Sequence, residues 1–200
     1  IGICATFLAT ALGTVAALGL SRPNMPFKGT LMAILISPMI VPLIITSAGM
    51  FFFYSKIGLT HTYLGLILAH TALGTPFVVI TVTATLTGFD TNLIRASQSL
   101  GADTMRTFFK VIMPLILPGV ISGALFAFIT SFDEVVVVMF VGSVEQITIP
   151  KQMWAGLRQE TSPVILCMAT CLVALSIALL TTVEMLRRRS ERLRGIKLRN

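Results

Sequence analysis

The stretch LIRASQSLGADTMRTFFKVIMPLILPGV, Leu93 to Val120, decides how this chain is read. The sequence on either side is apolar for long distances, yet here Arg95, Asp103, Arg106 and Lys110 interrupt it, and Gly101 separates two short helical patterns. Such a polar pair of short helices needs a reason to sit between membrane-like segments.

The surroundings fix the class first. Of the 200 residues, 55% are hydrophobic and only 12% charged, with a mean hydropathy of +0.91, against about 25% charged in ordinary globular domains. The charges are also clustered. None falls in 1–21, 29–55, 57–89, 111–132 or 161–183, and each window can hold the roughly 20 residues that a membrane span needs. The expected architecture is an all-α integral membrane protein with five transmembrane helices, at about 1–20, 31–53, 62–86, 115–140 and 163–185.

Lys and Arg favour the cytoplasmic side. With the 21–30 link inside, Arg22, Lys28, Arg95, Arg106, Lys110 and the seven basic residues of the tail place twelve of fifteen there. Only Lys56, Lys151 and Arg158 fall outside, and the opposite topology reverses the ratio. The basic tail, 187–200, reads as a stop-transfer anchor rather than an anionic-lipid or nucleic-acid patch. The chain opens inside an apolar run with no basic region before it and no cleavage site after it. That run therefore reads as a helix and not a signal peptide, and a sixth span is expected ahead of residue 1.

Prolines punctuate the spans: Pro38 and Pro42 in the second, Pro76 in the third, Pro114 and Pro118 at the start of the fourth. Each removes a backbone donor, so a packed bundle with bends is expected. Gly65, Ala69, Ala72, Gly119 and Gly123 are small enough for close helix approach. Cys4, Cys167 and Cys171 read as small residues at helix contacts, with no disulfide or metal site. His70, the one ionisable group deep in the third span, is either a relay or ligand group or a neutral imidazole bonded to a neighbouring helix. His61 reads as a surface residue. The chain carries no phosphate-binding loop, zinc pair or nucleophile turn, so catalysis is not expected on it.

The opening stretch now has a local reading. Gly88 breaks the third span, and Asp90 or Thr91 can cap a new helix. Leu93, Ala96, Ser97 and Leu100 then share one apolar or small face. Gly101 suits a left-handed helix end, and Asp103 can cap a second helix from Thr104 to Met113 that Pro114 terminates or kinks. The product is a helix-turn-helix knob over 88–114, suited to docking a partner protein.

This segment resembles the "EAA" loop of the membrane subunits of ABC importers, E-A-A-x3-G-x9-I-x-L-P. The pattern falls on Arg95, Ala96, Ser97, Gly101, Val111, Met113 and Pro114. Arg95 stands where the pattern has glutamate. A second stretch, SFDEVVVVMFVGSVEQITIPKQMWAGLRQETSPVI (Ser131 to Ile165), resembles permease subunits of the spermidine/putrescine type. The resemblance implies a single transmembrane permease domain over 1–200 in the bacterial inner membrane. It further implies two ATPase subunits, a second and different permease chain, and an extracytoplasmic solute-binding protein. ATP and Mg would be bound by the ATPases and no cofactor by this chain. Arg95, Ala96, Ser97, Leu100, Gly101 and Ala102 are the expected ATPase-coupling residues; ATP binding would draw the docked 91–101 helices together and switch the bundle from inward- to outward-facing. A permease for an amino-acid-like compound or a metal complex remains an alternative, as does a channel or secondary transporter without an ATPase.

Asp133, Glu134 and Trp154 are the expected substrate-path residues. Fifteen residues from Pro118 to Asp133 rise roughly 22 Å at about 1.5 Å each, which puts the acidic pair past the midplane of a core about 30 Å thick. Adjacent helical positions diverge by about 100°, so the two carboxylates cannot share one contact unless the helix loosens. They read as attracting a cation, as pairing with the partner chain, or as marking a helix that ends early. Lys151, Trp154 and Arg158 share a face of a short helix after Pro150, either contacting the binding protein or substrate entrance or, for Trp154, anchoring at the interface.

Overall fold

A computed structural model describes the chain except for residues 23–24, 89, 91, 160–162 and 194–200; at 158–159, 183–184 and 186–193 it describes the backbone alone. Thr91 and the end of the basic tail therefore lie outside the described residues, as do the side chains of the tail's helical part. All regular structure among the described residues is helical: α1 Gly2–Leu20, α2 Lys28–Ile40, α3 Leu43–Ile57, α4 Tyr63–Thr87, α5 Asn92–Ser99, α6 Thr104–Thr107, a π turn Phe108–Ile112, α7 Met113–Phe132, α8 Val136–Val141, α9 Ile149–Gln159 and α10 Pro163–Leu193. Four of the resulting segments are long and apolar enough to cross a membrane, Gly2–Leu20, Tyr63–Thr87, Thr104–Phe132 and Pro163–Thr182. The pair α2–α3 makes a fifth if counted as one bent span.

Two of the five expected spans differ in form. The segment expected at 31–53 is α2 and α3 meeting at 105°. Val41, the residue before Pro42, is extended (φ −71°, ψ 136°), because a residue before proline is pushed out of the helical region. Pro38, by contrast, is accommodated within α2. The segment expected at 115–140 starts earlier and stops earlier. Its helix runs unbroken from Thr104 through the π turn to Phe132, so Pro114 neither ends nor separates it. Pro114 sits near the start of α7, where a missing N–H is absorbed by the widened π turn.

The centre is built from α1, α4 and α7. Ala5, Ala9, Gly13 and Ala17 recur every four residues along the buried face of α1. Gly119, Gly123, Ala127 and Ser131 do the same on α7. Both stripes press on α4. A Cβ added to Gly13 would lie 2.6 Å from Val78 Cβ, and one on Gly74 2.9 Å from Ala127 Cβ. Small residues thus set how closely the backbones approach, the usual means of association where lipid is as apolar as the helices. Gly119 and Gly123 act as expected. Gly65 does not: its Cβ would strike the Leu59 carbonyl, so it serves the turn before α4 rather than a helix crossing.

The apolar core forms two clusters. Ala9, Ala17, Val78, Val82, Ile116, Val120 and Ala127 join the three central helices, with Ile112 and Met113 packed on them. Tyr54, Leu66, Ala69, Leu73, Val137, Val138 and Val141 join α3, α4 and α8 at the other end. The three cysteines, expected at helix contacts, are free and exposed on this chain.

Gly123→Val is expected to destabilise the protein by about 1–3 kcal/mol, since a Cβ there would lie 2.5 Å from Thr81 Oγ1 and 2.7 Å from Val78 Cα. Gly19→Ala, where a Cβ meets nothing within 4 Å, should be tolerated. Thermal unfolding in detergent distinguishes them; equal stability of the two variants would contradict the α4–α7 contact.

Candidate functional site

Two places carry chemistry, and α7 joins them. At its foot lies the knob foreseen over 88–114. Asp90 Oδ1 accepts from the Asn92 N–H at 2.9 Å, so Asp90 serves as the cap of α5. Gly101 is left-handed (φ 80°), and the Gly101 and Ala102 N–H groups return to the Gln98 and Ser97 carbonyls at 2.9 and 3.1 Å. Asp103 then caps α6, accepting from the Arg106 N–H at 2.7 Å. The second knob helix runs straight into α7 instead of ending at Met113.

On this knob the expected coupling residues divide. Arg95, Ala96, Leu100 and Gly101 are exposed, whereas Ser97 and Ala102 are half-buried. Leu100 is 88% exposed and Leu93, Met105 and Phe109 are also open, which leaves an apolar surface on a polar segment. Ser97 turns inward instead, its Oγ 3.0 Å from Thr107 Oγ1.

At the far end, α7 stops at Phe132 and residues 133–135 break the helix before α8. The break separates the acidic pair. Asp133 is exposed and forms no ion pair among the described residues. Glu134 is buried, and its Oε1 accepts from the Val137 N–H at 2.8 Å, filling one of the free donors in the first turn of α8. The early helix end, one of the alternatives left by the sequence, is thus present, and it gives the two carboxylates different surroundings.

Just before the break, His70 of α4 and Ser131 of α7 meet across the helices, Nδ1 to Oγ at 2.8 Å. Of the readings left for His70, the bonded imidazole between helices is the one the geometry contains; its Nε2 is enclosed without a partner among the described residues. His61 is exposed as expected but is more than a surface residue. In a left-handed conformation (φ 60°), it donates its N–H to the Val141 carbonyl at 2.8 Å and sets its ring Nδ1 3.1 Å from the Gly142 carbonyl. Its signal in sequence is weak, since only its place beside a turn sets it apart.

The helix expected after Pro150 is α9, with Pro150 inside its first turn. Trp154 is 48% exposed. Lys151 is tied back to the chain: its Nζ donates to the Ser143 and Gln146 carbonyls at 2.8 and 3.2 Å. Ser143 and Gln146 also bond each other reciprocally, so 143–151 is a closed knot. The Arg158 side chain lies outside the described residues. No group of three or more His, Cys, Asp or Glu residues suited to a metal occurs among the described residues.

A family model described as the binding-protein-dependent transport system inner membrane component matches residues 9–192. The chain belongs to this family: it is a multi-pass inner-membrane component of a binding-protein-dependent transport system. Among its relatives is the spermidine/putrescine transport system permease protein PotC of Haemophilus influenzae, 30% identical over 190 residues that cover 95% of this chain and 74% of the relative. PotC of Escherichia coli K12 is 30% identical over 184 residues, covering 92% and 69%. The fold is similar to that of a chain of the MetNI methionine ABC transporter solved in inward-facing conformations, with a TM-score of 0.75 at 21% identity over 94% of this chain and 90% of that one.

Glu134→Ala should lower the unfolding midpoint, because it strands the Val137 N–H at a cost of about 1–3 kcal/mol. Glu134→Gln keeps an acceptor oxygen and should lose less than half as much. Equal loss in both variants, measured by thermal unfolding, would show that charge and not the cap is what Glu134 contributes.

Proposed function

We propose that this chain is a permease subunit of an ATP-driven importer and forms half of the path for a small cationic solute, a polyamine such as spermidine or putrescine. One observation carries the choice of a cation: Asp133 is exposed at a helix break deep in an apolar chain, in the stretch that resembles polyamine permeases. A carboxylate at the head of a membrane-spanning helix is costly wherever it faces lipid, so such residues face a pathway or a partner. A polyamine ammonium would exchange its hydration for charge-assisted hydrogen bonds to that carboxylate. Glu134 stands behind it as the second acid of the pair, and Trp154 lines the outer approach. The names of the two relatives support the same solute class.

The partners follow from this reading. Two ATPase subunits bind ATP and Mg and carry out hydrolysis, a second permease chain of different sequence supplies the other half of the path, and an extracytoplasmic protein delivers the solute. The knob over 88–114 docks the ATPase through Arg95, Ala96, Leu100 and Gly101, with Ser97 and Ala102 beneath them. Exposed Leu100 on a capped polar element supports the docking role, because contiguous apolar surface outside a membrane marks interaction sites. The tail over 187–200 anchors the last helix at the same face.

Uptake of labelled spermidine or putrescine by the assembled complex tests the solute. Asp133→Asn should lower transport efficiency on the order of tenfold or more, the worth of one hydrogen bond to a charged group. Normal cation uptake by Asp133→Asn and by the double variant with Glu134→Gln, or selective uptake of an amino-acid-like compound or a metal complex, would overturn the polyamine assignment.

Docking is tested separately. Gly101→Val forces a β-branched residue into a left-handed position and should abolish solute-stimulated ATP hydrolysis while the chain still inserts. Full coupled transport by Gly101→Val would remove the docking role from this knob.

A further inference from the structure

We infer that Thr107 is the positioning residue through which the docking helix moves α7: its hydroxyl clasps Ser97, so α5 and the long helix shift as one body. The inference rests on the reading that α5 docks an ATPase.

The threonines of this chain show what is unusual. Thr10, Thr75, Thr85, Thr87 and Thr170 each return their hydroxyl to the carbonyl four residues back in their own helix. That is the default for threonine in a helix. Thr107 instead reaches across to Ser97 Oγ at 3.0 Å, and it is only 2% exposed, beneath α5. The bond spans the Gly101 turn and closes the knob from its inner side.

α5 depends on such a tie. It has eight residues, none of them buried, and isolated helices shorter than about 12–15 residues are marginal in water. The Asp90 and Asp103 caps fix the ends of the knob helices, but neither joins one helix to the other. The clasp does. Beyond Thr107 the chain enters the π turn and then α7, where Ile112 and Met113 seat on the central core. From Thr107 to Phe132 is roughly 38 Å of continuous helix at about 1.5 Å per residue. A displacement of α5 therefore enters this rod at Thr107 and leaves it at the acidic break.

The test uses the complete complex with its ATPase subunits and binding protein, in proteoliposomes. The variants are Thr107→Val, which keeps the shape and loses the hydroxyl, Thr107→Ser, which keeps the hydroxyl, Ser97→Ala, and Ser97→Ala with Thr107→Val. The readouts are ATPase co-purification, the ratio of binding-protein-stimulated to basal ATP hydrolysis, and solute taken up per ATP. Loss of one hydrogen bond should lower the stimulated ratio and the uptake per ATP by about three- to tenfold in Thr107→Val, with the ATPase still co-purifying. Thr107→Ser should retain coupling, and the double variant should be no worse than the worse single one. Coupling within twofold of the parent in Thr107→Val, an equal loss in Thr107→Ser, or multiplying losses in the double variant would each overturn the clasp. A parent complex that couples through an ATPase contact elsewhere on the chain would overturn the docking reading, and the role of Thr107 with it.

Discussion

Lipid tails are as apolar as leucine, so burial gives two membrane helices no reason to prefer each other over the bilayer. What remains is close packing of backbones, and here that is set by residues without side-chain bulk. Ala5, Ala9, Gly13 and Ala17 on one side and Gly119, Gly123, Ala127 and Ser131 on the other clamp α4 between α1 and α7. The rest of the molecule hangs on this triple contact. α2 packs on α4, α8 joins α3 to α4, and α10 lies on α7 and α9. The chemistry is placed by the same helices: the knob lies at the foot of α7 and the acidic break at its head.

The last rung of the α7 stripe is also its first polar one. Ser131 continues the small-residue spacing but carries a hydroxyl, and His70 meets it across the helix contact. One turn further the helix would place two adjacent carboxylates in an apolar surrounding. Burying a charge without partners is expensive, and the break over 133–135 relieves that: Glu134 goes in and is bonded by a backbone donor, while Asp133 stays out. Packing and charge thus both favour ending the helix at Phe132.

The spans were legible because apolar length is a local property of the chain, and the expected windows 1–20, 31–53 and 62–86 end within four residues of the observed helices. The caps at Asp90 and Asp103 and the left-handed Gly101 were legible for the same reason, since capping and φ preference act over three or four residues. The 105° turn at Val41 was not. Pro38 and Pro42 look alike in sequence, yet α2 absorbs the first and breaks before the second, and no residue pattern beside them tells the two apart. The stripe on α1 went unread although its spacing is regular, because alanine is ordinary in a membrane helix and only the facing α4 gives it meaning. The ties of Lys151 were not legible for a related reason. Its charge suggested an outward contact, and the sequence does not announce that two backbone carbonyls within eight residues, those of Ser143 and Gln146, accept from its Nζ.

The arrangement constrains how a push at the knob can be answered. α7 cannot slide along α4 by less than a full small-residue rung, because Gly119 and Gly123 lie against Thr85, Thr81 and Val78 with no room for even a Cβ. Such interfaces are held in discrete registers and do not deform continuously. A displacement entering at the foot of α7 is therefore carried by α1, α4 and α7 together, and it must be taken up where that unit meets its looser neighbours. The bend between α2 and α3 and the break between α7 and α8 are the interruptions that lie beside that unit. The second of them holds Asp133, so movement of the core against α8 changes what that carboxylate faces.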